Sequence, residues 1–175
     1  MDDLVKQAMA KWPNVPDCFG WLGLDARGDW YMRDDAVQAA GVFGQAPAAR
    51  GAVLRHEKLL GFIARNYGSD EQGRWFFQNG PQRVYVELEA APYVWRVAPD
   101  FAVTAHTAQP AGEVTQALLD EDGRLYLLTP LGCGLVHSLD MVHAADAVEA
   151  GIWRPLEVRA GELEQRCGFQ RHPRP

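Results

Sequence analysis

SDEQGRWFFQNGPQRVYVELEAAPYVWRV, residues Ser69–Val97, reads as three successive strands cut by turn signals. Trp75–Phe77 is aromatic, and Asn79-Gly80-Pro81 is a strong turn former. Beyond it, Val84, Val86 and Leu88 alternate with Arg83, Tyr85, Glu87 and Glu89, the period of a strand with one apolar and one polar face. A third run, Tyr93–Val97, follows the break Ala90-Ala91-Pro92. The stretch predicts an antiparallel sheet with one buried face, on which Glu87 and Glu89 share the wet side.

The flanking sequence supplies the helices. Leu4, Val5, Ala8, Met9 and Trp12 recur at helical spacing over Asp3–Trp12, with Asp2 or Asp3 as cap and Pro13 as stop. Trp21–Asp25 and Asp29–Met32 flank Ala26-Arg27-Gly28 as a hairpin. Asp34–Gly51, rich in Ala and Gly, predicts a mobile loop. Ala52–Tyr67 predicts the best helix, with Val53, Leu60, Ile63 and Tyr67 on one face, Gly68 at its end, and His56 on or near the apolar side. Further strands are expected in Phe101–Thr107, Glu113–Leu119, Arg124–Leu128 and Gly134–Ser138. A helix is expected in Asp140–Ala150, then an extended piece in Trp153–Val158. The tail, 171–175, is expected to be loose. Short connections favour sequential antiparallel pairing. The expectation is one α+β domain spanning 1–175: a largely antiparallel, meander-like sheet with a few helices packed on it.

One pattern recurs. Asp70-Glu71-Gln72-Gly73-Arg74-Trp75 matches Asp120-Glu121-Asp122-Gly123-Arg124-Leu125, and a fainter copy is Asp25-Ala26-Arg27-Gly28-Asp29-Trp30. Asp at the first turn position accepts backbone N–H groups, and Gly three residues on supplies a positive φ. Convergent turn chemistry explains the echo; its matched spacing keeps duplication open, with pseudo-repeat units 70–97 and 120–150.

Composition bounds the function. At 175 residues, 47% of them hydrophobic, the chain can bury a real core. A net charge of −6 argues against non-specific nucleic-acid binding, because phosphate contacts need a basic surface. No apolar run is long enough for a membrane helix, and the acidic N-terminus does not look like a signal peptide. Cys18, Cys133 and Cys167 are dispersed and odd in number, which predicts a reduced, cytoplasmic protein and no disulfide framework.

The richest polar cluster is Cys133, His137, Asp140, His143 and Asp146, residue types that suit a divalent metal. Its spacing matches no standard site. Asp140 reads as a helix cap, with His143 and Asp146 on a solvated face, so no metal and no cofactor are expected. Gly132-Cys133-Gly134 lacks the third glycine of a phosphate cradle, no Gly-x-Ser-x-Gly elbow occurs, and nothing near Cys18 would depress its pKa. Tyr93, Trp95, Trp30, Trp75 and Tyr126 are either a stacking platform or core fillers, and two helices in need of a surface favour the core.

Lys11-Trp12-Pro13-Asn14-Val15-Pro16-Asp17-Cys18-Phe19-Gly20-Trp21-Leu22-Gly23-Leu24-Asp25, Trp30–Asp35 and Gly73–Leu88 resemble an uncharacterised proteobacterial protein family of unknown function. The resemblance covers most of the chain. It implies a bacterial cytosolic protein and brings no activity, cofactor or catalytic residue. The sequence therefore points to a non-catalytic binding or protein-interaction domain with a protein or small-molecule partner, using the aromatic face or the Asp34–Gly51 loop. The alternative is a metal-dependent or acid–base enzyme built on His137, Asp140 and His143.

Overall fold

The computed structural model describes residues 1–175. The chain divides into two compact units. The first comprises Met1–Asp25, Asp29–Glu89 and Phe169–Pro175; the second comprises Ala26–Gly28 and Ala90–Gly168. Each has its own six-stranded sheet and so buries its own core.

In the first unit the strands are β1 (Cys18–Leu24), β2 (Trp30–Met32), β3 (Ala52–Val53), β4 (Tyr67–Ser69), β5 (Trp75–Asn79) and β6 (Gln82–Leu88), in the order β3-β2-β1-β6-β5-β4. In the second they are β7 (Tyr93–Val97), β8 (Val103–Ala105), β9 (Gln116–Leu119), β10 (Leu125–Thr129), β11 (Gly132–Val136) and β12 (Leu156–Glu157), in the order β12-β9-β10-β11-β7-β8. Pairing is mostly antiparallel, but β6 returns parallel to β1 and β11 parallel to β7. Helices α1 (Asp3–Lys11), α2 (Asp35–Ala39) and α3 (Glu57–Arg65) belong to the first unit, and α4 (Met141–Glu149) and α5 (Leu163–Cys167) to the second. The architecture is α+β.

The two sheets repeat one plan. In each, a strand and its hairpin partner are followed by a three-strand meander whose last strand inserts beside the first: β2-β1-β6-β5-β4 and β8-β7-β11-β10-β9. Tyr93–Val97 is therefore not a third strand beside β6. It opens the second copy, because Ala90-Ala91-Pro92 ends the ladder instead of turning it. The spacing of 50 residues from Asp70 to Asp120 relates only the two meanders.

Four turns share the hairpin geometry. The N–H groups of Asp25, Asp70, Ala98 and Asp120 each donate to the carbonyl four residues on, at 3.0 Å. The fourth residue of each turn has positive φ: 89° at Gly28, 74° at Gly73, 67° at Phe101 and 75° at Gly123. Asp70 Oδ1 accepts from the N–H groups of Gln72 and Arg74, and Asp120 Oδ1 from those of Asp122 and Arg124, so one carboxylate oxygen builds each turn.

Strand β6 departs from the half-buried expectation. Tyr85 and Val86 are both fully buried, and Glu87 is 1% exposed. Phe19 stacks on Tyr85 at 4.5 Å, and the C-terminal tail covers what would have been the wet face. That tail is not loose: Gln170 N–H donates to Gly73 O at 3.0 Å and Leu88 N–H to Arg171 O at 2.8 Å. The loop from Asp34 to Gly51 is anchored as well. The Arg33 guanidinium, 2% exposed, donates to the carbonyls of Ala49 (2.9 Å), Gly20 (3.1 Å) and Gly41 (2.7 Å), and Phe43 is buried beneath it. Single long side chains do this work, and periodicity does not register them.

The helix expected over Ala52–Tyr67 is shorter. Ala52–Val53 pairs with β2, α3 begins after His56, and Gly68 lies in β4 instead of at a helix end. At the N-terminus only Val5 of α1 is buried, while Leu4 and Trp12 are exposed. Asp2 does not cap α1 with its side chain; its carboxylate meets Arg65 and Asn66.

Candidate functional site

The polar cluster read from the sequence does not converge. Cys133 is buried in β11. His137, also buried, accepts the N–H of Leu139 on Nδ1 at 3.1 Å and so caps a 3-10 turn. Asp140 receives Arg96 Nε at 2.5 Å, Arg96 Nη2 at 3.0 Å and the Val97 N–H at 3.1 Å, fastening that turn to β7. The guanidinium contact, helped by the Val97 N–H, outweighs burial and holds the Asp140 carboxyl below the usual carboxylate range. His143 is half-buried and Asp146 exposed on α4. No three His, Cys, Asp or Glu side chains are grouped to hold a metal ion. Of the acid–base alternative, His137 is committed to capping a turn and Asp140 to Arg96 and the Val97 N–H, while His143 stands apart on α4.

Other candidates also resolve into structure. His56 is exposed and accepts the Leu59 N–H at 3.3 Å as the cap of α3, neither a buried base nor a core residue. Gly134 makes room for the indole of Trp95: a Cβ there would lie 2.4 Å from Trp95 Nε1, which donates to Leu127 O at 2.9 Å. The glycines around Cys133 serve packing and a turn, not a phosphate. Trp30, Trp75, Tyr93, Trp95 and Tyr126 are all buried, so the aromatic face is core.

Glu87 is the least expected of these groups. Its Oε2 lies 2.7 Å from His172 Nδ1, and its Oε1 accepts from Arg174 Nη1 at 2.5 Å. Burial alone would raise its pKa, but the hydrogen bonds and charges of His172 and Arg174 outweigh it and leave the carboxyl below its ordinary value. Glu89 turns elsewhere, to Arg50 at 2.7 Å. Two acids two residues apart thus serve different partners.

The candidate binding site lies on the first unit, against the sheet formed by β2, β1, β6 and β5. Cys18, Trp21, Leu22, Met32, Leu54, Leu59, Ile63, Phe77, Asn79 and Val84 line a pocket of about 220 Å³. Helix α3 builds one wall, because its spacing places Leu59 and Ile63 on the same face, and Phe62 packs edge-on against Phe77 at 5.4 Å. Strands β1 and β2 build the floor and rim: Trp21 (38% exposed) and Met32 (46% exposed) stand on neighbouring strands. Asn79 brings the only amide. Cys18 is the sole titratable group, and burial pushes its thiol up, away from the thiolate. Such a lining can hold an apolar group; it carries neither a nucleophile nor a base. Periodicity could not have found it, since its residues come from five separate segments.

No helix is long and apolar enough to cross a membrane. Among solved structures, that of a DUF1285 family protein from Silicibacter pomeroyi DSS-3 is similar, with a TM-score of 0.52 and 14% identity over 83% of this chain and 84% of that one. At such identity the likeness shows the fold alone. No curated protein matches the sequence. The family described as "Protein of unknown function (DUF2946)" matches residues 1–174. The chain belongs to that family.

Proposed function

We propose that this protein is a non-catalytic binding domain whose first unit takes a small apolar group, aromatic or branched aliphatic, into the pocket between α3 and the sheet. The observation that carries the reading is the exposure of Trp21 and Met32 at the rim of an otherwise apolar cavity. Water gains little by wetting such a lining, so an apolar guest is favoured by the area it removes from solvent, roughly 25 cal/mol per Å². Its volume of about 220 Å³ suits one large side chain or a fragment-sized ligand.

Titration of the full chain with indole and with toluene, followed by the methyl resonance of Met32, tests the proposal. Binding shifts that resonance saturably, and Leu59→Trp, which fills the pocket, abolishes the shift. A Met32 signal that stays in place with both probes overturns the reading.

A further inference from the structure

The first unit holds a further cavity, of about 350 Å³, that shares no lining residue with the apolar pocket. Arg33 lies in its wall at 2% exposure, although a guanidinium is rarely buried without an acid against it. Its Nε, Nη1 and Nη2 atoms donate to the carbonyls of Ala49, Gly20 and Gly41, and none of these bonds goes to a carboxylate. A guanidinium has five N–H groups, so one on each Nη is left over. Strand β1 bulges against β6 between Cys18 and Leu22, and Gly20, at a φ of 81° within the bulge, turns its carbonyl onto Arg33 Nη1. A Cβ at Gly20 would overlap Gln38 Oε1, so the glycine also seats that amide at the cavity. Gln38 Nε2 donates to Arg33 O at 3.1 Å, which fixes the orientation of the amide and leaves Oε1 without a donor from the protein. Arg174 engages Glu87 Oε1 and Pro173 O through Nη1 alone, which leaves its Nε and Nη2 open.

We propose that this cavity binds a small 2-hydroxycarboxylate, its carboxylate between the guanidinium groups of Arg33 and Arg174 and its hydroxyl donating to Gln38 Oε1. Two guanidinium charges against the single carboxylate of Glu87 give the lining a net charge of +1. That balance matches a monoanion. A zwitterionic amino acid would bring no net charge, and the second charge of a phosphate would face Glu87. The planar fork of a guanidinium also fits the two oxygens of a carboxylate. Burial holds the Arg33 pKa below its ordinary value; Glu87 opposes that effect and Arg174 adds to it, so a bound anion offsets both burial and the like charge. Gln38 selects for the hydroxyl because its free atom accepts and does not donate. Val42, also in the wall, offers an apolar contact to the short carbon chain.

The experiment titrates the isotopically labelled full-length chain with L-lactate, propionate and inorganic phosphate at neutral pH, and with sodium chloride in parallel. It follows the amide resonances of Gly20, Gly41 and Val42. Lactate is expected to shift them saturably, and propionate, which lacks the hydroxyl, to bind about fivefold more weakly. Gln38→Leu should abolish that preference while leaving the propionate affinity within about twofold, a result that damage to the fold would not give. Arg174→Gln, at an exposed position, should weaken both acids about tenfold. Amides unmoved by lactate, or moved equally by chloride, overturn the site. Phosphate binding more tightly than lactate overturns the carboxylate assignment, and equal affinities for lactate and propionate in the wild-type chain overturn the role of Gln38.

Discussion

His172 Nδ1 lies 2.7 Å from the Oε2 atom of Glu87, a carboxylate 1% exposed in the centre of the first sheet. With Arg174 at the other oxygen, these last residues give a buried charge its hydrogen-bonding partners. Replacing both partners in place, His172→Phe with Arg174→Met, keeps the tail over Glu87 and is expected to destabilise the first unit by about 3 kcal/mol, the cost of a buried charge without its hydrogen-bonding partners. Urea denaturation followed by tryptophan fluorescence checks this. The pH dependence carries a sign. Because the folded-state pKa of Glu87 is depressed, its stabilisation is fully present above the ordinary value of 4.5 and is lost as the pH falls further. Glu87→Gln should flatten that acid limb.

Asp70 and Asp120 hold the same place in the same turn, yet only one has donors on its second oxygen. Asp70 Oδ2 accepts from Arg74 Nε at 2.8 Å and the Tyr85 hydroxyl at 3.0 Å. Asp120 Oδ2 is buried with no partner, since Leu135 stands where the hydroxyl of Tyr85 would be. Asp70→Asn should therefore cost about 2 kcal/mol, and Asp120→Asn under about 1 kcal/mol. Thermal unfolding of both variants compares them directly; equal losses would contradict the account.

The guanidinium of Arg33 satisfies two buried carbonyls, of Ala49 and Gly20, and, through a part-buried hydrogen bond, that of Gly41. Arg33→Met keeps most of the volume and leaves all three without that donor, with an expected loss of about 3 kcal/mol or more. Hydrogen exchange should accelerate across residues 34–51, where the loop then loses its anchor. Unchanged protection in that segment would remove Arg33 from this role.

Gly123 and Gly161 make a controlled pair. A Cβ at either meets nothing within 4 Å, but only Gly123 has positive φ, at 75°. Gly123→Ala is expected to cost about 1–2 kcal/mol through backbone strain alone. Gly161→Ala should be neutral or slightly stabilising. Melting temperatures of the two variants test this.

Local order follows from the amino-acid sequence by itself. The alternation through Val84–Leu88, the Asp-x-x-Gly turns and the spacing in α3 and α4 reflect backbone preferences that act over a few residues, and they sufficed for the α+β class and for the echo of one turn in another. Residue contacts across long separations decided the rest. Tyr93–Val97 leaves its neighbour β6 to pair with β11 and β8, and Glu87 changes from a wet face to a buried ion pair because residues 85 positions later cover it. The pocket is of the same kind, assembled from side chains that local patterning treats as unrelated. Packing energy depends on which surfaces meet, and a pattern with a period of two or 3.6 residues specifies which face is apolar without specifying what covers it.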